Sequence, residues 1–535
     1  MAFCGLALQR VLMHLFHSKP YFRNGLGPRL ALLCLASLLA GPVMPQSQAA
    51  PSPTVATPLP NLGDGNDMTP AAEKRIGDRI ARELYRDPDY IDDPVITDYV
   101  QGIWQPLLAA SRQRGELLPQ LDELFAWEIL MGRDRTVNAF ALPGAYFGLH
   151  LGLVGIVTSR DELASVLAHE LSHVTQRHIS RSMSRQAAQA PWLMGAMILG
   201  ILAASKDPNA AQATIVGGQA AAVQSQLNYS RDMEREADRI GFTVQTQAGF
   251  APQGFVSMFE KLQQSSRLND AGGFPYLRTH PLTTERIADM QSRVRQSDKG
   301  DAAPVTTLEH AMVAARARVL SNPAVDELRI WAQQAEPANL AKLKPAAQVG
   351  VLYGATLAAL KLRDYSQAQA DLQRLQQRTQ GDGPGARLTR LMSLEMALVQ
   401  GDMVAAALLI KSPEVQKDRS RAALLLRAQT DTLTGRADSV AQDLQTWLAD
   451  HPRDAQAWQL LAAADAAIGR PVAAVRAEGE VNVAQLDFAS ALTRFKAAQD
   501  LASKSTLQVD HIDASIVDTR ARQMELLLRE QALEH

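Results

Sequence analysis

The sequence predicts a mainly α protein in two parts: a helical domain with a small β element, then an α-helical repeat solenoid. Three observations predict it. Aromatic residues make up only 5% of the 535 residues while Ala, Leu and Gln abound, which favours packed helices over a β-sandwich. Strand-like patterning is confined to one stretch, about 125–148. From about residue 345, Ala/Leu-rich stretches broken by short turns recur with a period near 34 residues.

The bulk composition excludes several classes. With 46% hydrophobic and 21% charged residues, the chain is neither collagen-like, nor disordered throughout, nor a many-span membrane protein. A net charge of -2 leaves no basic excess to neutralise phosphates, so it is not a dedicated nucleic-acid binder.

Residues 1–49 read as a signal peptide. Arg10, Lys19, Arg23 and Arg29 stand there without an acidic residue, followed by the apolar run 30–40, Gly41-Pro42 and the small residues around Ala49. The run is shorter than the ~20 residues of a spanning helix, so cleavage near Ala49/Ala50 is expected, with an uncleaved anchor as the alternative. Met13 is a second candidate start. Losing those four cations leaves 50 basic against 56 acidic residues, a net charge of -6. Cys4 and Cys34 leave too, so the mature chain can form neither a disulfide nor a thiolate metal site. The expected fate is export, and the mature chain is inert to an oxidising compartment.

A Pro/Gly linker, 50–68, precedes a domain expected over 69–295. Thr69-Pro70 opens its first helix as N-cap and first-turn proline. The β element comprises 125–131 and 138–148, with Pro143-Gly144 as its turn. Tyr146 and Phe147 are expected to fill core, and 138–148 to form an edge strand able to pair with an extended peptide. The apolar run 191–204 is too short to span a bilayer upright, and reads as a buried helix or a flap touching membrane or substrate. A second linker, 296–306, leads to the repeats, 307–505, and a helical tail, 506–535. Turns fall at Leu362-Arg-Asp, Gly401-Asp, Gly435-Arg and Gly469-Arg, which is the tetratricopeptide period. This half is expected to bind partners rather than catalyse.

The chemistry concentrates in His169-Glu170-Leu-Ser-His173. Ser159-x-x-Glu162 is a capping box for the helix that carries it, and Leu163, Val166, Leu167, Leu171 and Val174 give it an apolar stripe. On that helix the two histidines lie one turn apart and can share one metal ion, while Glu170 sits beside it as a base. A third ligand is needed. His178 does not match the extended pattern, which would place a histidine at Ile179, so it is expected to be structural or exposed. A helix opened by Asn228-Tyr-Ser230 carries Glu234 and Asp238 one turn apart: Glu234 as ligand, Asp238 as acceptor for a ligand histidine's free N–H. Glu236 is an alternative ligand by chemistry.

These motifs, 138–144, 161–174, Glu234-x-x-Ala237-Asp238 and Thr279-His280-Pro281, resemble the zinc metalloprotease family of the CAAX prenyl proteases and the bacterial heat-shock membrane protease. They cover about 125–290. The resemblance implies a gluzincin-type fold and one Zn2+ per chain. His169, His173 and Glu234 (rather than Glu236) would be its ligands, Glu170 the general base and Asp238 the partner of a ligand histidine. Glu170 would take the proton of the attacking water and deliver it to the leaving amine. His280 and Arg286 are candidates to stabilise the oxyanion, and His280 could instead occupy the fourth zinc position and keep the enzyme latent. With a leader, a repeat tail and no spanning helix between its motifs, the chain looks like a soluble periplasmic branch of that family. The clients so implied are unfolded or stalled outer-membrane β-barrel proteins and their assembly machinery, docked by the repeats. The rival readings are a chaperone or scaffold with a vestigial site, and a membrane-anchored protease that keeps its leader.

Overall fold

The computed structural model describes residues 68–184, 231–268, 274–297, 304–504 and 511–533, all within one compact unit, Leu62–His535. The expected signal peptide, most of the first linker and the run 191–204 lie outside the described residues.

Helix α1 (Pro70–Tyr85) starts as the sequence indicates, with the Thr69 hydroxyl accepting from the Ala72 N–H. Helices α2 (Pro94–Gln113) and α3 (Pro119–Leu124) lead into the sheet. Strands β1 (Glu128–Gly132), β2 (Ala139–Leu142) and β3 (Tyr146–His150) lie in the order β1-β3-β2, with β1 parallel and β2 antiparallel to β3. Gly144, at φ 72°, makes the tight turn between β2 and β3 that Pro143-Gly144 predicts. The segment 138–148, expected as one edge strand, is split by the turn: β2 is an edge, but β3 is the central strand, paired on both sides, while β1 carries one further bridge, Tyr90 to Gly132. Tyr146 and Phe147 are buried, and Phe147 meets Trp104 of α2 edge-on at 4.7 Å.

Helix α4 (Leu151–Ile156) delivers the chain to α5 (Arg160–Thr175), the helix with both motif histidines. The Ser159 hydroxyl accepts from the Glu162 N–H at 3.1 Å, whereas the Glu162 carboxylate reaches back to the N–H of Thr158 rather than of Ser159. The apolar stripe is only part of the account: every residue from Glu162 to Thr175 is buried. Around α5 pack α6 (His178–Ser184), α7 (Arg231–Gln247) and α8 (Gln253–Leu268), followed by α9 (Tyr276–Thr279) and α10 (Thr284–Gln296). Gly241 lets α7 close on α5, since a Cβ there would come within 3.1 Å of the Ala168 and His169 backbone.

The remaining elements are helical: α11 (Leu308–Ser321), α12 (Val325–Gln333), α13 (Pro337–Leu340), α14 (Pro345–Lys361), α15 (Tyr365–Thr379), α16 (Gly383–Gln400), α17 (Met403–Leu409) and α18 (Pro413–Lys417). Then come α19 (Arg421–Leu433), α20 (Ala437–Asp450), α21 (Ala455–Ala467), α22 (Pro471–Ala484), α23 (Phe488–Lys504) and α24 (His511–Leu533). Helices α11 and α12 pack on α14, and from α14 to α17 and again from α19 to α24 each helix packs on the next, which fits a tetratricopeptide-like solenoid. The turns named by sequence are all present, each with a left-handed residue: Arg363, Gly401, Gly435 and Gly469. Two further turns use Gly381 and Leu486 in that conformation.

A single apolar cluster runs from Val95 of α2 to Ala423 of α19, so the first repeats share a core with the motif-bearing helices. Buried ion pairs fasten the same contact. Arg316 of α11 grips Asp93, the N-cap of α2, and also Glu395 of α16. Arg421 bridges Asp92 and Asp454.

Candidate metal centre

Four side chains from three segments converge beside α5. His169 Nε2 and His173 Nε2 are 3.0 Å apart, as their one-turn spacing predicts. His280 Nδ1, from the residue that ends α9, stands 3.3 Å from His169 Nε2 and 3.1 Å from Glu234 Oε1. Glu234 Oε1 is 3.4 Å from His173 Nε2. All four residues are buried, and their ligand atoms lie within 4.8 Å of one another. Donors around one tetrahedral ion, at bond lengths of ~2.0–2.1 Å, would stand about 3.3–3.4 Å apart. The four spacings above run from 3.0 to 3.4 Å, at or slightly below that figure, so the donor set fits a metal ion.

The electrostatics favour a cation at this point. Burial alone would raise Glu234, but His280 and the hydrogen bonds of His169, His173 and His280 hold it well below the usual carboxylate range. Burial likewise pushes His169 down, yet hydrogen bonds to Asp238 and Glu234 outweigh it and bring its value to about 9. Burial keeps His173 well below the usual imidazole value and so neutral. Carboxylates that retain a proton on His169 would stabilise a metal ion in the same place.

The expected outer partner is in position. Asp238 Oδ1 lies 2.9 Å from His169 Nδ1, on the side facing away from the cluster. Arg286 holds that carboxylate through Nε and Nη2, at 2.6 and 2.8 Å, while its Nη1 reaches Glu234 Oε2 at 2.7 Å and the Pro281 carbonyl at 2.8 Å. All three guanidinium nitrogens are thus engaged behind the carboxylates. Glu170 is 1% exposed, with His280 Nε2 3.4 Å from its Oε1, and burial raises its carboxyl above the usual range. Tyr276 stacks on the His280 ring at 4.7 Å and 25°.

Glu236, the alternative ligand by chemistry, is not among the converging donors. His178, expected to be structural or exposed, is fully buried. Its Nδ1 is 2.8 Å from His173 Nδ1, and its Nε2 is 3.0 Å from Glu236 Oε2. The clue available in sequence was a histidine five residues beyond a ligand histidine, combined with a carboxylate two residues beyond Glu234.

A buried His-His-Glu-His group drawn from α5, α7 and the end of α9, with a carboxylate at its side and a small sheet next to it, defines a metallopeptidase class of protein. Comparison with known proteins agrees. Residues 117–294 match peptidase family M48. A Vibrio cholerae protein assigned by name to the beta-barrel assembly-enhancing proteases is 32% identical over 495 residues, 91% of this chain and 96% of its own length. The beta-barrel assembly-enhancing protease of Escherichia coli strain K12 is 29% identical over 503 residues, with the same coverage. The mitochondrial metalloendopeptidase OMA1 of Saccharomyces cerevisiae is 28% identical over 196 residues, 36% of this chain and 54% of its own. The chain belongs to the family of the beta-barrel assembly-enhancing proteases, within peptidase family M48.

Proposed function

We propose that this chain is a periplasmic zinc endopeptidase that hydrolyses misassembled or unfolded outer-membrane proteins. The observation that carries the reading is the four-donor cluster of His169, His173, Glu234 and His280, with Glu170 buried at its edge. One zinc per chain, when bound, would polarise a peptide carbonyl and acidify water. Glu170 accepts the proton of the attacking water and passes it to the leaving amine, and its raised pKa suits both halves of that task. Asp238 orients His169. Arg286, its nitrogens committed to Asp238, Glu234 and Pro281, acts by holding those carboxylates rather than by touching substrate.

His280 fills the corner a catalytic zinc leaves to water or substrate, and so holds the resting site closed until substrate displaces it. The alternative role, stabilising the transition state, would use the same ring after that displacement. The edge position of β2 supports backbone pairing with an extended client, which suits unfolded chains of varied sequence. The names of the Vibrio and Escherichia relatives support clients among β-barrel proteins, with the solenoid docking their assembly machinery. The leader-like first 49 residues support export. Among the described residues no helix is long and apolar enough to cross a membrane.

The closed fourth corner also favours a second reading, a chaperone or scaffold whose protease site stays latent. Incubating an unfolded β-barrel protein with the purified chain and with its Glu170→Gln variant separates the two. Cleavage lost only in the variant supports the endopeptidase. No cleavage by either chain, even with His280 replaced, leaves the scaffold.

A further inference from the structure

His178 is a buried histidine that none of the steps above uses. It opens α6, directly after Arg177, whose left-handed backbone (φ 55°) turns the chain out of α5. The turn brings the His178 ring beside His173, ring centroids 4.9 Å apart, on the side away from the donor cluster. Four groups then form a line. His173 Nδ1 is 2.8 Å from His178 Nδ1, His178 Nε2 is 3.0 Å from Glu236 Oε2, and Arg181 Nη1 holds the same Glu236 oxygen at 3.1 Å.

The donor and acceptor inventory fixes the direction of this line. An ionised carboxylate only accepts, so His178 Nε2–H is the donor to Glu236. A neutral imidazole has a single N–H, so His178 Nδ1 accepts, and the N–H it accepts from is His173 Nδ1. His173 therefore carries its proton on Nδ1 and presents the lone pair of Nε2 to the cluster. In the opposite direction His173 would hold its proton on Nε2, pointing at His169 and Glu234, where a ligand must be bare.

We propose that His178 is a positioning residue for the metal centre, which locks His173 in its ligand tautomer and transmits the charge of Glu236 to it. Asp238 does the same for His169 in one step; His173 is served in two, and both carboxylates come from α7. The inference rests on the metal reading of the site. Partners of this kind raise ligand basicity, and their loss weakens metal binding by roughly 10–100-fold.

The test is competition for zinc between a chromogenic chelator and the full chain, as wild type, His178→Leu, His178→Gln and Glu236→Ala. Leu fills the space of the ring without a polar atom. Gln can accept from His173 through its carbonyl and donate to Glu236 through its amide. Expected are a roughly 10–100-fold loss of zinc affinity in His178→Leu, recovery to within a few-fold of wild type in His178→Gln, and a loss in the same direction in Glu236→Ala. Glu236 is part-exposed, so its variant keeps the test decisive should His178→Leu fail to fold. Packing alone predicts the reverse order, Leu tolerated and Gln not, and that result overturns the proposal, as does wild-type affinity in Glu236→Ala. A wild-type chain that takes up no zinc sinks the metal reading and this inference together. Wild-type zinc binding with no effect of the variants sinks this inference alone.

Discussion

Asp238 Oδ1 stands 2.9 Å from Nδ1 of His169, and the same carboxylate neutralises the buried guanidinium of Arg286. One side chain thus serves the metal centre and the folding of α10 against α7. Asp238→Ala should remove both. Leaving a buried cation with only Glu234 beside it should cost about 3 kcal/mol of stability. Zinc affinity should fall by roughly 10–100-fold. Urea unfolding of the metal-free chain reads the first loss and chelator competition reads the second; a stable variant with poor zinc binding would uncouple them.

Glu170→Gln separates chemistry from binding. The substitution keeps the shape of the side chain and removes the proton acceptor, so kcat should drop by about 10²–10⁴-fold while zinc content stays at the wild-type level. Stability should not fall. The folded-state pKa of Glu170 lies above its ordinary value because the group is buried, so the ionised form costs stability at neutral pH and a neutral amide does not. A thermal melt beside the turnover assay checks both halves.

Much of the site was legible because its signals are local. The Ser159 cap and the one-turn spacing of His169 and His173 specify a helix and a shared face. Glu234 and Asp238 repeat that spacing on α7. Glycines mark three of the turns read from the sequence because only they enter the left-handed region without strain, whereas Leu486 adopts it with a side chain and gave no signal. The His178 relay was missed for the same reason: its ring is aimed by the left-handed backbone of Arg177, which no periodicity announces. The shared core and the Arg316 and Arg421 networks were equally invisible, since Arg316 and Asp93 are 223 residues apart in the chain.

That network leads to a prediction about the junction. Arg316 is 4% exposed and bonded to Asp93 and Glu395 through all three guanidinium nitrogens. Arg316→Met should leave two acids without their cation and cost about 3–5 kcal/mol. The loss should fall on the seam between α2 and the first repeats. Faster exchange of amides in α11 and α16 than in α22 and α23, measured by hydrogen exchange, is the expected pattern.

Asp465 of α21 should make stability depend on pH. It is fully buried, neither carboxylate oxygen has a hydrogen-bond partner, and Arg470 Nη1 is 4.0 Å away. Burial, only partly offset by Arg476 and Arg470, raises its pKa to about 6. A folded value above the unfolded one means that the charged form is the costly one. The penalty is fully present above pH ~6 and disappears as pH falls toward ~4. Asp465→Asn should therefore stabilise the chain at pH ~7.5 by on the order of 2 kcal/mol and change little at pH ~4. Urea midpoints at the two pH values give the comparison, and an equal gain at both would assign the effect to packing.

His280→Ala tests whether the closed corner of the cluster governs activity. In the wild type, substrate must displace a histidine whose Nδ1 is 3.3 Å from His169 Nε2 and whose ring is clamped by Tyr276. If the open form is about one in ten of the population, removing the ring should raise cleavage of an unfolded β-barrel protein about tenfold. The same variant should release zinc faster, since one of four donors is gone. A transition-state role predicts the opposite sign in the cleavage assay, with kcat reduced and KM little changed. Tyr276→Ala distinguishes these further, because it loosens the clamp and leaves the histidine in place. It should raise cleavage if His280 is a barrier and lower it if His280 is a catalyst. An unchanged rate in both variants would remove His280 from the mechanism.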